Sequence, residues 1–259
     1  MGRLQTEIDA RGCATLYMNN PEQHNAFDDR LIPEMTEALD RLGGDPRVRT
    51  VTLAASGRSF SAGADLNWMR RVADYSLAEN IQDALALAEL MRALNELPKP
   101  TIALVQGAAF GGGVGPVAAC DIAIASEKAS SCLSEVKLGL IPAVISPYVI
   151  AAIGQRASRR YFLTAERFSA EEALRLGLIH QLADDLEVAG EHLCRQLLQN
   201  GPQAISAAKR LILDVSDRPV DQKLIEMTAD RITAIRATDQ GREGLNAFLA
   251  KRQPAWIKE

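Results

Sequence analysis

Long apolar runs are missing from this 259-residue sequence. Glycine, proline or charged residues interrupt every apolar stretch well before the roughly 20 residues that a membrane-spanning helix needs. The first ten residues already include Glu7 and Asp9 and lack the apolar core of a secretory signal. We therefore expect a soluble protein with no membrane partner.

Cysteine is scarce, and none of the four cysteines belongs to a CxxC pair. The three histidines, His24, His180 and His192, are also widely dispersed. Neither pattern has the spacing of metal ligands or of a dithiol redox site, so we predict no metal. Small buried thiols of this kind are typical of a protein in the reducing cytoplasm.

An excess of basic residues is missing as well. The formal net charge is −4, and lysine and arginine occur in ones and twos rather than in clusters. A polyanionic nucleic acid is therefore not an expected partner. Hydrophobic residues make up 47% of the chain, which is enough for a sizeable core and excludes a disordered protein.

Strand and helix patterns alternate along the first two-thirds of the chain. Residues 4–8 and 14–18 flank a turn and predict a β-hairpin, whereas apolar spacing predicts helices over 31–42 and 77–97. Further strands are predicted over 48–54, 101–105, 121–125 and 130–133. This alternation predicts an α/β domain.

The last third of the sequence has a different pattern. Beyond about residue 158 no strand is predicted, and helices are predicted over 170–176, 186–198, 202–213 and 223–248. We therefore divide the chain into a core of residues 1–195 and a helical C-terminal region of residues 196–259.

Two small-residue loops follow predicted strands. Gly107-Ala-Ala-Phe-Gly-Gly-Gly113 precedes a helical run, lacks the Walker lysine and does not have GxGxxG spacing, so it is not predicted to bind a nucleotide. Glycines at a helix start leave N–H groups free to stabilise a negative oxygen, although tight helix packing would also require them. The loop Phe60-Ser-Ala-Gly-Ala-Asp-Leu66 has a similarly uncrowded N–H at Ala64.

These loops belong to a series of short motifs that together resemble the crotonase, or enoyl-CoA hydratase/isomerase, superfamily. The likeness extends from about residue 5 to Trp256. Its motifs are Asn25-Ala26, Phe60-Ser-Ala-Gly-Ala-Asp65, Gly107 with Gly111-Gly112-Gly113, Cys120-Asp121, Ser134-Glu135 through Leu138-Gly139, and Pro142. The resemblance implies an α/β spiral of stacked ββα units, with a helical C-terminal region that forms a homotrimer and usually a dimer of trimers.

The resemblance also implies a site for a coenzyme A thioester, in which coenzyme A is part of the substrate and no separate cofactor is used. The N–H groups of Ala64 and Gly112 would form the oxyanion hole, and Glu135 would be the acid and base. The residues implied in coenzyme A binding are Gln23, His24 and Ala26 along its chain, Ala62, Gly63, Asp65 and Leu66 around the adenine, and Lys251 at a phosphate bound by a neighbouring subunit.

The chemistry of an enoyl thioester explains why such a site needs two N–H donors and a glutamate. Attack at the β carbon of an enoyl thioester, or proton loss at the α carbon, produces an enolate oxygen that two N–H donors can stabilise. Proton transfer then needs a side chain with an adjustable pKa, and the apolar neighbours of Glu135 would raise its pKa.

The sequence departs from the family pattern at two places. Gly115 occupies the position at which a hydratase of this family has a second glutamate, and Pro142-Ala-Val-Ile-Ser-Pro147 replaces a glycine-rich stretch. With these features the sequence is similar to bacterial 3-methylglutaconyl-CoA and isohexenylglutaconyl-CoA hydratases, whose substrates carry a second carboxylate. Cationic candidates for that carboxylate are Lys137, Arg70 and Arg71.

Three functions are compatible with this sequence. The preferred one is a hydratase, a lyase that adds water to a branched glutaconyl-type enoyl-CoA. A double-bond isomerase on the same scaffold is the first alternative, because one glutamate suffices to move a proton along an acyl chain. The second is a non-catalytic protein that binds acyl-CoA or RNA, which the missing glutamate would explain.

Overall fold

A computed structural model describes residues 2–257, which contain ten strands and ten α-helices. The strands are β1 (Leu4–Ile8), β2 (Cys13–Met18), β3 (Thr50–Ala55), β4 (Ser59–Ser61), β5 (Thr101–Val105), β6 (Ala108–Phe110), β7 (Ile122–Ala125), β8 (Ser130–Cys132), β9 (Phe168–Ser169) and β10 (Gln181–Leu182). The helices are α1 (Leu31–Gly44), α2 (Leu66–Val72), α3 (Leu77–Glu96), α4 (Val114–Ala119), α5 (Ser146–Thr164), α6 (Ala170–Leu176), α7 (Leu186–Leu198), α8 (Pro202–Val215), α9 (Gln222–Ala237) and α10 (Asp239–Leu249).

The strands form two sheets. The first has six strands in the order β1-β2-β3-β5-β7-β10, and all of its pairs are parallel except the predicted hairpin β1–β2. The second has four strands in the order β4-β6-β8-β9, of which only β9 is antiparallel to its neighbour. Each of β3, β5 and β7 is followed by a strand of the second sheet, so the predicted repeat of ββ units with intervening helices is confirmed.

The main core lies between the first sheet and the helices packed against it. All six residues of β3 are buried, as expected of a central parallel strand with both faces covered. Helices α1 and α3 pack against each other through a stripe of fully buried side chains that includes Met35, Leu39, Leu90 and Leu94. These side chains belong to the main core of the protein.

Two predictions about the last third of the chain are wrong. Strands do occur there: β9 pairs with β8 and β10 pairs with β7, and a two-residue strand has no periodicity that a sequence pattern could reveal. The helix predicted over 223–248 is two helices, because Thr238 has an extended backbone and its hydroxyl oxygen accepts a hydrogen bond from the N–H of Gly241 at 3.0 Å. Thr238 is therefore the N-cap of α10.

The C-terminal helices are attached to the core by both apolar and ionic contacts. The predicted boundary at 195/196 falls within α7, which packs on the first sheet through Ile102, Ile124 and Cys194. Helix α8 is held by Lys209, a buried side chain whose ammonium lies 2.8 Å from a carboxylate oxygen of Asp121. No helix within residues 2–257 is long and apolar enough to cross a membrane.

Candidate active site

One edge of the second sheet collects the ends of four segments. Strands β4, β6 and β8 are parallel, so their carboxyl ends meet at the same edge, and the antiparallel β9 begins there. We call this the carboxyl edge, and define it by residues 62–66, 111–113, 133–138 and 167. It brings together the two small-residue loops and Glu135, which are far apart in sequence.

The two predicted oxyanion loops are in close contact at this edge. A β carbon built on Gly63, which has a φ of +88°, would lie 2.7 Å from the carbonyl oxygen of Phe110 and 3.5 Å from the nitrogen of Gly112. Only glycine allows both this backbone conformation and this approach. The loops of Ala64 and Gly112 therefore lie side by side, as the predicted oxyanion hole requires.

The backbone around Ala64 and Gly112 is arranged so that the N–H groups of these two residues can bind a substrate. The carbonyl of Gly63 accepts from the N–H of Phe27 at 2.7 Å, and the N–H of Asp65 donates to the carbonyl of Phe27 at 2.8 Å. In this extended pairing the N–H of Ala64 faces away from Phe27. Gly112 is the second residue of a short 3-10 helix, Gly111–Gly113, where an N–H has no intrahelical acceptor.

Glu135 lies next to these loops at the start of the 3-10 helix Glu135–Leu138. Its Oε1 atom is 3.4 Å from the position of a β carbon built on Gly111. The side chain is half-buried, and among residues 2–257 its buried Oε2 atom has no hydrogen-bond partner. Desolvation raises the pKa of Glu135 above its ordinary value, and a hydrogen bond from its own backbone opposes this only in part.

Gly115 is enclosed by apolar side chains. A β carbon at this position would lie 2.4 Å from Cγ2 of Ile145 and 2.8 Å from Sδ of Met91, and both side chains are buried. A glutamate therefore does not fit at residue 115 without rearrangement. Of the two carboxyl groups typical of a hydratase of this family, only that of Glu135 has space at the carboxyl edge.

The two segments implied in coenzyme A binding lie together. The N–H of Ala62 donates to the carbonyl of His24 at 2.9 Å, which joins the segment of residues 23–26 to that of residues 62–66. Asn25, a buried residue with a left-handed φ of 52°, donates to the carbonyls of Ser56 and Ser59 at 2.9 Å each. Asn25 is thus a structural support that was not among the predicted site residues.

The remaining predicted residues differ in their surroundings. Gln23 and Ala62 are exposed and Ala26 is buried, whereas Leu66 has 69% of its surface exposed. The carboxylate of Asp65 accepts from the N–H groups of Asn67 and Trp68 at 2.8 and 2.9 Å, so this residue is the N-cap of α2. Lys251 is exposed just beyond α10, and its predicted contact with a neighbouring subunit stays a prediction.

The histidine rings have partners other than metal ligands. Nδ1 of His24 lies 3.0 Å from the Ser59 hydroxyl oxygen, and Nε2 lies 3.1 Å from a guanidinium nitrogen of Arg58. Nδ1 of His180 accepts from the N–H of Ala123 at 3.1 Å. Within the described residues, no three His, Cys, Asp or Glu side chains come together in a group that could hold a metal ion.

Arg167 is a charged residue at the carboxyl edge that the sequence patterns did not single out. It directly precedes β9, and its guanidinium carbon lies 4.5 Å from the centre of the Phe110 ring. Phe110 in turn directly precedes Gly111. The residue was missed because β9 itself was not predicted.

Comparison with known proteins agrees with this geometry. The profile of the enoyl-CoA hydratase/isomerase family matches residues 9–259. A crystal structure of an enoyl-CoA hydratase from Shewanella pealeana superposes with a TM-score of 0.96 and 49% identity, covering 98% of this chain and 96% of that one. The 1,2-epoxyphenylacetyl-CoA isomerase of Escherichia coli is 33% identical over 94% of both chains. The hydroxycinnamoyl-CoA hydratase-lyase of Pseudomonas fluorescens is 35% identical over 80% of this chain and 76% of its own. The α/β spiral is therefore that of the crotonase fold, and the chain belongs to the enoyl-CoA hydratase/isomerase family of the crotonase superfamily.

Proposed function

We propose that this protein is a hydratase that adds water across the α,β double bond of an enoyl-CoA, and that its acyl group is of the branched glutaconyl type. The observation that carries the proposal is the Glu135 side chain, whose Oε1 atom lies beside the loop of Gly111 and whose buried Oε2 atom has no hydrogen-bond partner among residues 2–257. A carboxyl group held in this way is suited to accept and return a proton, because burial raises its pKa above the ordinary value.

The proposed reaction uses one carboxyl group for both proton transfers. The Glu135 carboxylate takes a proton from water as the oxygen adds to the β carbon, and the protonated side chain then gives that proton to the α carbon. The thioester oxygen carries the intermediate negative charge and accepts hydrogen bonds from the N–H groups of Ala64 and Gly112. Each such donor contributes roughly 3 to 4 kcal/mol of transition-state stabilisation in comparable enzymes.

Coenzyme A would lie across the paired segments of residues 23–26 and 62–66. Their mutual hydrogen bond, from the N–H of Ala62 to the carbonyl of His24, fixes the two segments before a substrate arrives. Such preorganisation reduces the entropy lost on binding. Because coenzyme A arrives as part of the substrate, the proposed reaction needs no other cofactor.

A second carboxylate on the substrate is suggested by the surroundings of Gly115. Ile145 and Met91 leave no space for the usual second acid of a hydratase. A glutaconyl-type acyl group carries its own carboxylate close to the β carbon, where it could help to orient the attacking water. The resemblance of residues 134–147 to glutaconyl-CoA hydratases points to the same class of substrate.

The test follows the absorbance of the conjugated enoyl thioester with the native protein and with Glu135→Gln. We expect turnover of 3-methylglutaconyl-CoA by the native protein, a higher kcat/KM than with crotonyl-CoA, and a loss of at least about 100-fold in the variant. Glu37→Gln, an exposed substitution on α1, is the matched control. Absence of turnover with every enoyl-CoA would instead favour a binding protein.

The second candidate is a double-bond isomerase. It is favoured by the enclosure of Gly115, which leaves Glu135 without the usual second acid, and the similar Escherichia coli protein is named as an isomerase. The two reactions differ in mass, because hydration adds one water molecule and isomerisation adds none. Mass spectrometry of the product formed in ¹⁸O-labelled water therefore distinguishes them.

The assembly is proposed to be a homotrimer or a dimer of trimers in the cytoplasm. Large apolar side chains of the C-terminal helices are exposed in the single chain: Ile212 is 63%, Leu249 76% and Phe248 80% exposed. Burial of such residues is a common driving force for association. Solution scattering would separate a trimer from a hexamer, and a monomer would overturn the proposal.

A further inference from the structure

Arg167 is held at the carboxyl edge by strand pairing. Phe110 of β6 is aligned with Cys132 of β8, and Ser131 of β8 is aligned with Phe168 of β9. Arg167 precedes Phe168 in an antiparallel strand, so it continues the row that begins with Phe110 and Cys132. Its guanidinium reaches along this row to lie over the Phe110 ring, with 4.5 Å between the guanidinium carbon and the ring centre.

Within the part of the chain that the structure describes, this guanidinium has no anionic side chain as a partner. Among residues 2–257, Arg167 makes no ion pair and donates no hydrogen bond, although the adjacent Glu166 is paired with Arg160 at 2.7 Å. The flat face is stabilised by the aromatic ring, and the N–H groups at the edge remain free. An arginine held in this way can donate two parallel N–H groups of its planar guanidinium to the two oxygens of a carboxylate.

The strand register places Arg167 beside Cys132, three residues before Glu135. Burial raises the pKa of the Cys132 thiol, while the positive charges of Lys137 and Arg167 lower it and the charge of Glu135 raises it. Phe110, under the guanidinium, is the residue before Gly111, whose built β carbon lies 3.4 Å from Glu135. A substrate held between the oxyanion loops and Glu135 therefore has a cation at the same edge.

The cations considered from the sequence are less suited to this role. Arg71 is paired with Asp29 at 2.8 Å, and Arg70 donates to the side chain of Asn67 at 3.0 Å. Lys137 carries a point charge on a flexible stem, and no side-chain hydrogen bond or ion pair among residues 2–257 orients it. All four of these cations are exposed, and within residues 2–257 Arg167 alone of the four rests on an aromatic ring and has no polar partner.

We propose that Arg167 is a specificity-determining residue that binds the second carboxylate of the acyl group. This inference rests on the proposed function, since it names the group that selects glutaconyl-type substrates. It predicts that the protein prefers acyl chains ending in a carboxylate over uncharged chains of similar length.

The test measures binding without turnover. Calorimetry gives the Kd of two saturated thioesters, glutaryl-CoA and butyryl-CoA, with the native protein and with Arg167→Met. We expect the native protein to bind glutaryl-CoA more tightly, and the variant to lose about tenfold or more of this preference, as expected for a lost charge-assisted hydrogen bond. Arg167→Lys should retain an intermediate preference.

Two controls separate a direct contact from a general effect of charge. Arg159→Met removes an exposed cation on α5 and should leave the preference unchanged. With the native protein, the methyl ester of glutaryl-CoA should bind like butyryl-CoA, a measurement that needs no variant to fold. An unchanged preference in Arg167→Met, or an equal loss of affinity for both thioesters, would overturn the inference.

The result is independent of whether hydration occurs. If the native protein turns over no enoyl-CoA but Arg167→Met loses its preference for glutaryl-CoA, the proposed reaction fails and the carboxylate site stands. If hydration occurs while the preference is unaffected, the reaction stands and the assignment of Arg167 fails.

Discussion

The Oε1 atom of Glu135 lies 3.4 Å from the point at which a β carbon on Gly111 would stand. This distance corresponds to ordinary van der Waals contact. Avoiding overlap with Glu135 is therefore not a sufficient reason for glycine at residue 111. Its φ of +50° lies in the left-handed region, which favours glycine, and the next residue is Gly112. The proposed acid and the proposed oxyanion hole are therefore coupled through a single glycine.

Gly111→Ala should reduce kcat by more than its effect on the free energy of unfolding can explain. The added methyl group fits, but a left-handed alanine costs roughly 1 to 2 kcal/mol and would shift the turn that carries Gly112. Gly154→Ala is the matched control, because Gly154 in α5 also has a positive φ, of +74°, and nothing lies within 4 Å of its built β carbon. Both variants should lose free energy of unfolding in urea, and only Gly111→Ala should lose kcat. Equal kcat values would contradict the proposed site.

Glu135→Gln should change how stability depends on pH. Burial raises the pKa of Glu135 in the folded state above the ordinary value of 4.5. The folded protein therefore binds this proton more tightly than the unfolded chain does, and the resulting stabilisation is complete below pH 4.5 and is lost as pH rises through the folded pKa.

Glutamine stays neutral, so the variant should have a higher free energy of unfolding than the native protein at about pH 8, and the difference should shrink as pH falls. Urea unfolding at several pH values measures it. Contributions from all other ionisable groups cancel in the comparison. A difference that grows toward acid pH would mean that the Glu135 carboxylate is stabilised by the fold.

Gly63→Ala should destabilise the protein and separate the oxyanion loops. A β carbon there would lie 2.7 Å from the Phe110 carbonyl oxygen, so the backbone must move, at a cost of about 1 to 3 kcal/mol. The control is Gly44→Ala at the end of α1, where the built β carbon has nothing within 4 Å. That change should raise the melting temperature slightly, because alanine restricts the unfolded chain. A stable, fully active Gly63→Ala protein would argue against close contact of the loops.

Gly115→Glu should fail to restore a second acid. Its first side-chain atom would overlap Ile145 at 2.4 Å and Met91 at 2.8 Å, and a buried charge without a partner adds a further penalty. We expect a loss of several kcal/mol in the free energy of unfolding, or no soluble protein. Combining the change with Ile145→Ala should recover folding, as judged by circular dichroism and thermal melting. If Gly115→Glu alone were as stable as the native protein, residue 115 would not be enclosed as described.

Elements defined by local pattern could be predicted from the sequence. The hairpin of β1 and β2 follows from two short strand patterns around a turn, and α3 follows from the apolar spacing over residues 77–97. The role of the two oxyanion loops was predicted from the resemblance of their small-residue motifs to those of the family, since glycine spacing alone also fitted tight helix packing. Their proximity in space follows from the parallel pairing of β4, β6 and β8.

Features that depend on distant parts of the chain could not be predicted in this way. Strand β9 has two residues and exists because β8 offers it a partner, so Arg167 had no predicted place. The enclosure of Gly115 depends on Ile145, thirty residues further along the chain, and no periodicity connects the two. The break before α10 depends on a single hydroxyl, that of Thr238.

The two donors of the proposed oxyanion hole are main-chain amides, a group that almost every residue type supplies. Mutation of a side chain cannot delete them, whereas a new side chain at 115, 135 or 167 changes what surrounds the activated thioester. The oxyanion hole is thus built from the backbone and is retained when side chains change. The side chains that transfer protons or bind charged groups of the substrate can be replaced. New reactions on this framework can arise by exchanging those few side chains while the strands that carry the oxyanion hole stay as they are.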